Sequence, residues 1–177
     1  FYGAFLPVDD LCYTEKMDTI ISIKHFTMRF GATEVIHDLS FDVKRGETFG
    51  FLGSNGSGKT TTIRALLGIY EPTGGELLID GEPYSVSSGI KLGYLPEERG
   101  LYKKESVIDV MTYFGQLKGM TRTDAREKSL SFLQRVKLAD KANVRIDKLS
   151  GGQQQKIQLG ITVMDDPELL ILDEPTK

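Results

Sequence analysis

The chain has 177 residues, 40% of them hydrophobic, enough for a sizeable buried core and for one domain with room for a subdomain. Its formal net charge of -3 supplies no global positive field, so nucleic acid or an anionic membrane would have to be recognised locally. No apolar run approaches the roughly 18 residues a membrane-spanning helix needs, and the single cysteine, Cys12, excludes an internal disulfide and fits a reducing, cytoplasmic compartment.

Residues 1–19 read as an N-terminal extension. Residues 1–16 carry no clean period, contain Pro7 and Asp9-Asp10, and lack the charged start of a targeting peptide. Met17 is the expected natural start, so what precedes it is set aside as non-native, and Cys12 within it reads as an ordinary thiol. Strands are expected at 20–23 and 35–43, where Leu39, Phe41 and Val43 alternate with Ser40 and Asp42, before a turn at Arg45-Gly46-Glu47. Residues 48–52 form a short apolar run, read as a strand, that enters the glycine-rich loop Gly53-Ser54-Asn55-Gly56-Ser57-Gly58-Lys59-Thr60. A helix is expected over 59–70, ending near Glu71-Pro72.

Residues 76–79 followed by Asp80-Gly81 predict a strand with a tight turn, and hence an antiparallel patch. Another strand is expected at 90–95, broken by Pro96. Beyond it the period becomes helical: Val107, Val110, Met111, Phe114 and Leu117 form one apolar stripe, and Leu130, Leu133 and Val136 form a second after the candidate cap Thr123. Both stripes read as core packing of a helical subdomain. Ser150 opens a third helix with Ile157, Ile161 and Met164 facing inward; Asp165-Asp166-Pro167 ends it, and 169–172 reads as a buried strand leading to Asp173 and Glu174.

The chemistry follows from these placements. A glycine-rich turn running into a helix makes a cradle of backbone N–H groups at the positive end of the helix dipole, which suits polyphosphate. Gly53, Gly56 and Gly58 let the backbone approach, Lys59 reaches β- and γ-phosphates, the Thr60 hydroxyl suits Mg²⁺, and Thr61 suits a phosphate oxygen. At the strand end, Asp173 can hold Mg²⁺ through water while Glu174 orients or deprotonates an attacking water. The segment Leu149-Ser150-Gly151-Gly152-Gln153 starts a helix with two glycines and forms a second anion-binding end. One nucleotide needs no second, distant helix terminus, so this one is expected to complete the site of another subunit in a two-fold, head-to-tail pair.

Together these residues resemble the ATP-binding (nucleotide-binding) domain of ABC transporters, with Walker A at 53–60, the family signature at 149–153 and Walker B at 169–174. The resemblance covers about residues 20–177. It implies an α/β fold of the P-loop NTPase type: a mostly parallel sheet flanked by helices, with an antiparallel β patch and a helical subdomain. Expected boundaries are 20–96 for the first part of the core, 97–149 for the helical subdomain, and 150–177 for the signature helix and Walker B strand. It further implies Mg²⁺ and ATP held in a head-to-tail dimer of two nucleotide-binding subunits, with Ser150, Gly151, Gly152 and Gln153 on the second nucleotide. Hydrolysis would be coupled to transmembrane permease subunits through the helical subdomain, placing the protein peripherally on the cytoplasmic face of the membrane with no direct nucleic acid partner. Phe30, in Arg29-Phe30-Gly31, looks like the aromatic that stacks on adenine; its alternative is a strand core residue.

The chain departs from the family pattern in two places. Glu97, in Leu95-Pro96-Glu97-Glu98-Arg99, stands where the family usually has glutamine; it can ligate Mg²⁺ or pair with Arg99. This variant, with Tyr102 and residues 114–119, is similar to ATPases of two-component exporters of the sodium-efflux type, so export is the expected direction. The sequence also stops at Lys177, before the family's next loop and its γ-phosphate-sensing histidine. The core is therefore expected to be C-terminally incomplete with an exposed sheet edge, and this stretch to bind ATP while hydrolysing it weakly. His25 and His37 precede Walker A and read as ordinary strand or turn residues. Two alternatives remain: a soluble ABC-type ATPase acting on ribosome or DNA, and a fragment that binds ATP without efficient turnover.

Overall fold

The computed structural model describes residues 18–85, 87, 89–98 and 100–174. The extension up to Met17 with Cys12, the Arg99 partner considered for Glu97, Pro175 and Lys177 lie outside the described residues. The chain forms two compact units, divided in sequence between Ser88 and Gly89.

The first unit is built on a long hairpin of β1 (Thr19–Phe30) and β2 (Thr33–Lys44), with β3 (Gly74–Ile79) on the other edge of β1. Both pairings are antiparallel, so an antiparallel patch is present, but it does not run across the Asp80-Gly81 turn, beyond which the described residues form only an isolated bridge of Ile79 with Glu82. β1 runs well past the expected 20–23, because Phe26 and Met28 continue its buried face with Ile21 and Ile23, against Ile36, Val43, Leu77 and Ile79. The alternation is re-phased at a register shift between Ile23 and Phe26, where His25 takes a positive φ of 51°. Its backbone N–H donates to Ser40 Oγ at 2.8 Å and its ring meets the Asp38 carboxylate at 2.6 Å. Gly75, at φ 82°, passes so close to the His25 carbonyl that a Cβ would collide with it. Asp80 and Gly81 have φ of 54° and 82°, the pair of left-handed residues a tight hairpin turn needs.

The helix α1 (Lys59–Leu66) stops short of the expected Tyr70. Gly68, at φ 68°, returns its N–H to the Ala65 carbonyl at 3.0 Å and turns the chain out of the helix. Residues 48–52, expected as a strand, form none among the described residues. An apolar run gives a tendency to burial, but a strand also needs a hydrogen-bonding neighbour, and the three strands of this unit pair with one another. The segment is instead attached by its rings: Phe49 stacks on Phe41 at 5.1 Å and Phe51 lies 5.4 Å from the same ring, while Leu52 is 91% exposed.

In the second unit β4 (Leu92–Leu95) pairs in parallel with β5 (Leu169–Leu172), the parallel pairing among the described residues. The helices α2 (Val107–Leu117), α3 (Arg122–Arg135) and α4 (Gly151–Val163) surround a core of Val107, Val110, Met111, Leu133, Ile146, Ile157 and Ile161. Of the expected stripes, Leu117 and Leu130 are exposed: each lies one step beyond the arc its helix turns inward. The cap of α3 is Thr121 rather than Thr123. Thr121 keeps an extended backbone and accepts from Asp124 N–H at 3.1 Å, the three-residue spacing a cap requires, whereas Thr123 is already inside the helix. Gly115 brings α2 onto α3, since a Cβ there would lie 2.6 Å from Ala125 Cβ. Lys118 Nζ ties the end of α2 to the end of α4 through Asp165 at 2.5 Å and the Thr162 carbonyl at 3.2 Å. The β5 residues alternate between half-buried and exposed, in place of the expected continuous burial: Leu170 and Leu172 are exposed, although Leu170 shares with its partner Gly93 the side of the sheet that α4 approaches.

Candidate nucleotide-binding site

The first unit carries the phosphate loop. Loop and helix join at Gly58, which is left-handed at φ 91°; a Cβ there would strike the Ile36 side chain, so the sequence needs glycine at this point. The amino end of α1 has no side-chain cap and no acidic residue in its first turn, leaving backbone N–H groups pointed out of the helix. Lys59 Nζ folds back over the loop and donates to the Gly53 carbonyl at 2.7 Å and the Ser54 carbonyl at 3.0 Å. Ser57 N–H closes a turn onto the Ser54 carbonyl at 3.2 Å, with Gly56 at φ 79° within it. Residues 53–57 are exposed, and Lys59, Thr60 and Thr61 are half-buried at the helix start. Thr62, which faces inward, donates its hydroxyl to the Gly58 carbonyl at 3.0 Å and so secures the first turn.

Phe30 ends β1 with 47% of its surface exposed, which a strand core residue would not have. Its neighbour Arg29 donates Nε to Glu34 Oε2 at 2.6 Å across the hairpin, and His37 meets the other oxygen of Glu34 at 2.6 Å. The Arg29 hydrogen bond, and then that of His37, hold the Glu34 carboxyl below the usual carboxylate range. Both histidines are thus exposed strand residues paired with carboxylates.

The second unit carries the carboxylates and the second helix end. Asp173 is 4% exposed, its N–H donates to the Leu95 carbonyl at 2.9 Å, and its Oδ2 is buried without a hydrogen-bond partner among the described residues. A buried, orphaned carboxylate oxygen is costly unless something fills it, and a hydrated cation fits that requirement. Glu174 follows at φ 52°, a left-handed conformation that is uncommon outside glycine and that concentrates at functional sites. Glu97 lies on the exposed stretch after β4. Ser150 caps α4 in a capping box: its Oγ accepts from Gln153 N–H at 3.3 Å, and Gln153 Oε1 accepts from Ser150 N–H at 2.9 Å. Ser150 and Gly152 are exposed, and the space around Gly152 is open.

Of the predicted residues, Phe30 and Gly53 to Thr61 therefore belong to the first unit, and Glu97, Ser150 to Gln153, Asp173 and Glu174 to the second. Sequence reasoning missed Gln158, whose Nε2 donates to the Glu98 carbonyl at 2.9 Å and fixes the stretch that carries Glu97. The available signal was a polar residue on the inward face of α4, beside Ile157 and Ile161. It also missed Tyr70, which meets the Phe30 ring.

The family profile described as "ABC transporter" matches residues 36–177. The chain belongs to the ABC transporter family. It is 43% identical over 156 residues to the uncharacterized ABC transporter ATP-binding protein YhaQ of Bacillus subtilis strain 168, covering 88% of this chain and 52% of that one. Against the Nod factor export ATP-binding protein I of Cupriavidus pinatubonensis it is 35% identical over 163 residues, covering 90% and 50%. This ABC chain thus spans about half the length of the curated relatives it matches. Among solved structures, an ATP-binding subunit of an ABC transporter superposes with a TM-score of 0.77 at 27% identity, covering 89% of this chain and 67% of that one. The fold is accordingly that of the ABC ATPase domain, an α/β P-loop NTPase.

Proposed function

We propose that this ABC chain binds Mg-ATP at a head-to-tail interface with a second nucleotide-binding subunit and that hydrolysis drives export through transmembrane permease subunits. The observation that carries this reading is the uncapped start of α1, with Lys59 held over the loop by the Gly53 and Ser54 carbonyls. A polyphosphate supplies acceptors for those N–H groups and, because it is anionic, a better partner for the ammonium than two neutral carbonyls, adding charge–charge attraction to the hydrogen bond. Gly53 to Gly58 form the cradle, and Lys59 and Thr61 take phosphate oxygens. The residues suited to Mg²⁺ are Thr60 and Asp173, with Glu97 a further candidate where the family usually has glutamine, and the orphaned oxygen of Asp173 supports its share. Bound there, Mg²⁺ neutralises charge on the transferring phosphate. Glu174 is the residue we assign to orienting and deprotonating the attacking water.

The reading gives the second helix end to ATP held by the other subunit. The capping box uses the Ser150 lone pair and one N–H, leaving the hydroxyl proton and the first-turn N–H groups of Gly151 and Gly152 for phosphate. The export direction is supported by the similarity to Nod factor export ATP-binding proteins. Peripheral attachment follows from the permease partners; among the described residues no helix is long and apolar enough to cross a membrane.

Calorimetric titration with Mg-ATP tests the proposal. Lys59→Ala should weaken binding by about tenfold or more, the worth of a charge-assisted hydrogen bond to phosphate. Glu174→Gln should bind as the parent does while turnover by the full-length protein falls by orders of magnitude. Unchanged affinity in Lys59→Ala, or lost affinity in Glu174→Gln, would show that these roles are misassigned.

A further inference from the structure

Phe30 is not held by its own strand alone. Tyr70, just beyond α1, meets it edge to face, with ring centroids 5.5 Å apart and planes at 82°. Tyr70 is itself gripped by Arg64 in the last turn of α1: Arg64 Nη1 donates to the Tyr70 hydroxyl at 3.1 Å, the guanidinium carbon lies 6.0 Å from the ring centroid, and the Arg64 carbonyl accepts the Tyr70 N–H at 3.3 Å. The following residues stitch the same connection to β1, with Arg29 N–H donating to Thr73 Oγ1 at 3.0 Å and Thr73 N–H to the Thr27 carbonyl at 3.1 Å. A continuous set of contacts therefore runs from the helix that starts at Lys59 to the exposed ring at the end of β1.

We infer that Tyr70, held by Arg64, is a positioning residue for the purine base: it fixes the plane of the Phe30 ring against which the base stacks. The inference rests on the reading that Phe30 stacks on the adenine of bound ATP. An unsupported phenyl ring at a strand end rotates about its side-chain torsions, and stacking must then stop that motion at an entropic cost. A perpendicular neighbour stops it beforehand. It can cover only one face of the ring, and the 47% exposure of Phe30 is what remains for a base. Because Arg64 belongs to the phosphate-loop helix, the platform is referenced to the element that receives the phosphates.

The test compares two probes in the full chain by calorimetry, Mg-ATP and Mg-tripolyphosphate, which carries the phosphates without a base. Tyr70→Ala is expected to weaken ATP about 3- to 10-fold, the worth of one edge-to-face aromatic pair, and to leave tripolyphosphate within about 2-fold. Tyr70→Phe and Arg64→Met, which keep the ring at position 70, should show the same selectivity with a smaller loss. Phe30→Ala should weaken ATP about 10-fold or more, and adding Tyr70→Ala to it should cost nothing further. Equal losses for ATP and tripolyphosphate in Tyr70→Ala, no loss for ATP, or a full additional loss on top of Phe30→Ala would overturn the positioning role. Unchanged ATP affinity in Phe30→Ala would instead overturn the stacking role on which it rests. Tripolyphosphate binding also reports that each variant is folded.

Discussion

Ser150 carries two jobs that substitution can separate. As the cap of α4 it accepts from Gln153 N–H and completes a capping box, so Ser150→Ala removes one acceptor and strands one helix N–H. Losing such a cap costs about 1 kcal/mol, which in a chain of this size lowers the melting temperature by about 2–4 °C. Ser150→Asp keeps the acceptor in the same place, since aspartate caps about as well as serine and its charge favours a helix amino end. Its stability should therefore equal or slightly exceed that of the parent. In the proposed dimer, however, the new carboxylate would face the triphosphate on the other subunit. At about 4 Å and an effective dielectric near 20, two unit charges repel by about 4 kcal/mol, close to a thousandfold in association. Melting curves report the first job, and sedimentation velocity with Mg-ATP in a Glu174→Gln background reports the second. If Ser150→Asp melts as early as Ser150→Ala, the capping argument is wrong; if it pairs with ATP as readily as the parent, this helix end does not meet phosphate.

Other parts of the structure make their own predictions. Gly115→Ala forces a methyl against Ala125 Cβ, which is fixed to its backbone, so overpacking of about 1–3 kcal/mol should exceed the gain of up to about 1 kcal/mol in helix propensity, and the variant should melt earlier by chemical denaturation. A melting point equal to or above the parent's would mean that α2 and α3 separate freely. Glu34 is held below its ordinary value by Arg29 and then His37, so its contribution to stability is complete above that ordinary value and is lost as pH falls through the lower, folded one. Glu34→Gln should therefore melt below the parent near neutral pH, with the gap closing in acid. A gap that stayed constant down to about pH 3 would contradict the sign.

How much of this was legible beforehand depended on whether the physics was local. The turn at Asp80-Gly81, the helix start at Ser150 and the inward face of Ile157, Ile161 and Met164 are set by torsional preference, capping and period, and all appear as read. The loop from Gly53 to Thr60 carries its own conformational demands, so its shape followed from its glycines. What failed depended on neighbours. Residues 48–52 have the composition of a buried strand, but composition does not name a hydrogen-bonding partner. Leu170 and Leu172 are exposed in a run whose composition reads as buried, because burial of a strand is set by what covers it and no local pattern specifies that. Thr123 and Thr121 look alike in composition; only the Asp124 N–H decides between them. Tyr70 and Gln158 were invisible for the same reason, since each acts on a residue at least 40 positions away in sequence.

Pairing across the two helix ends is the feature on which the proposed function depends most. Ser54→Cys and Gly152→Cys can be made in separate Cys12→Ser, Glu174→Gln chains, because Ser54 is exposed and the space around Gly152 is open. On mixing and mild oxidation, a disulfide-linked heterodimer should form with Mg-ATP and not without nucleotide. Cross-linking that ignores nucleotide, or none with ATP present, would contradict a head-to-tail nucleotide sandwich.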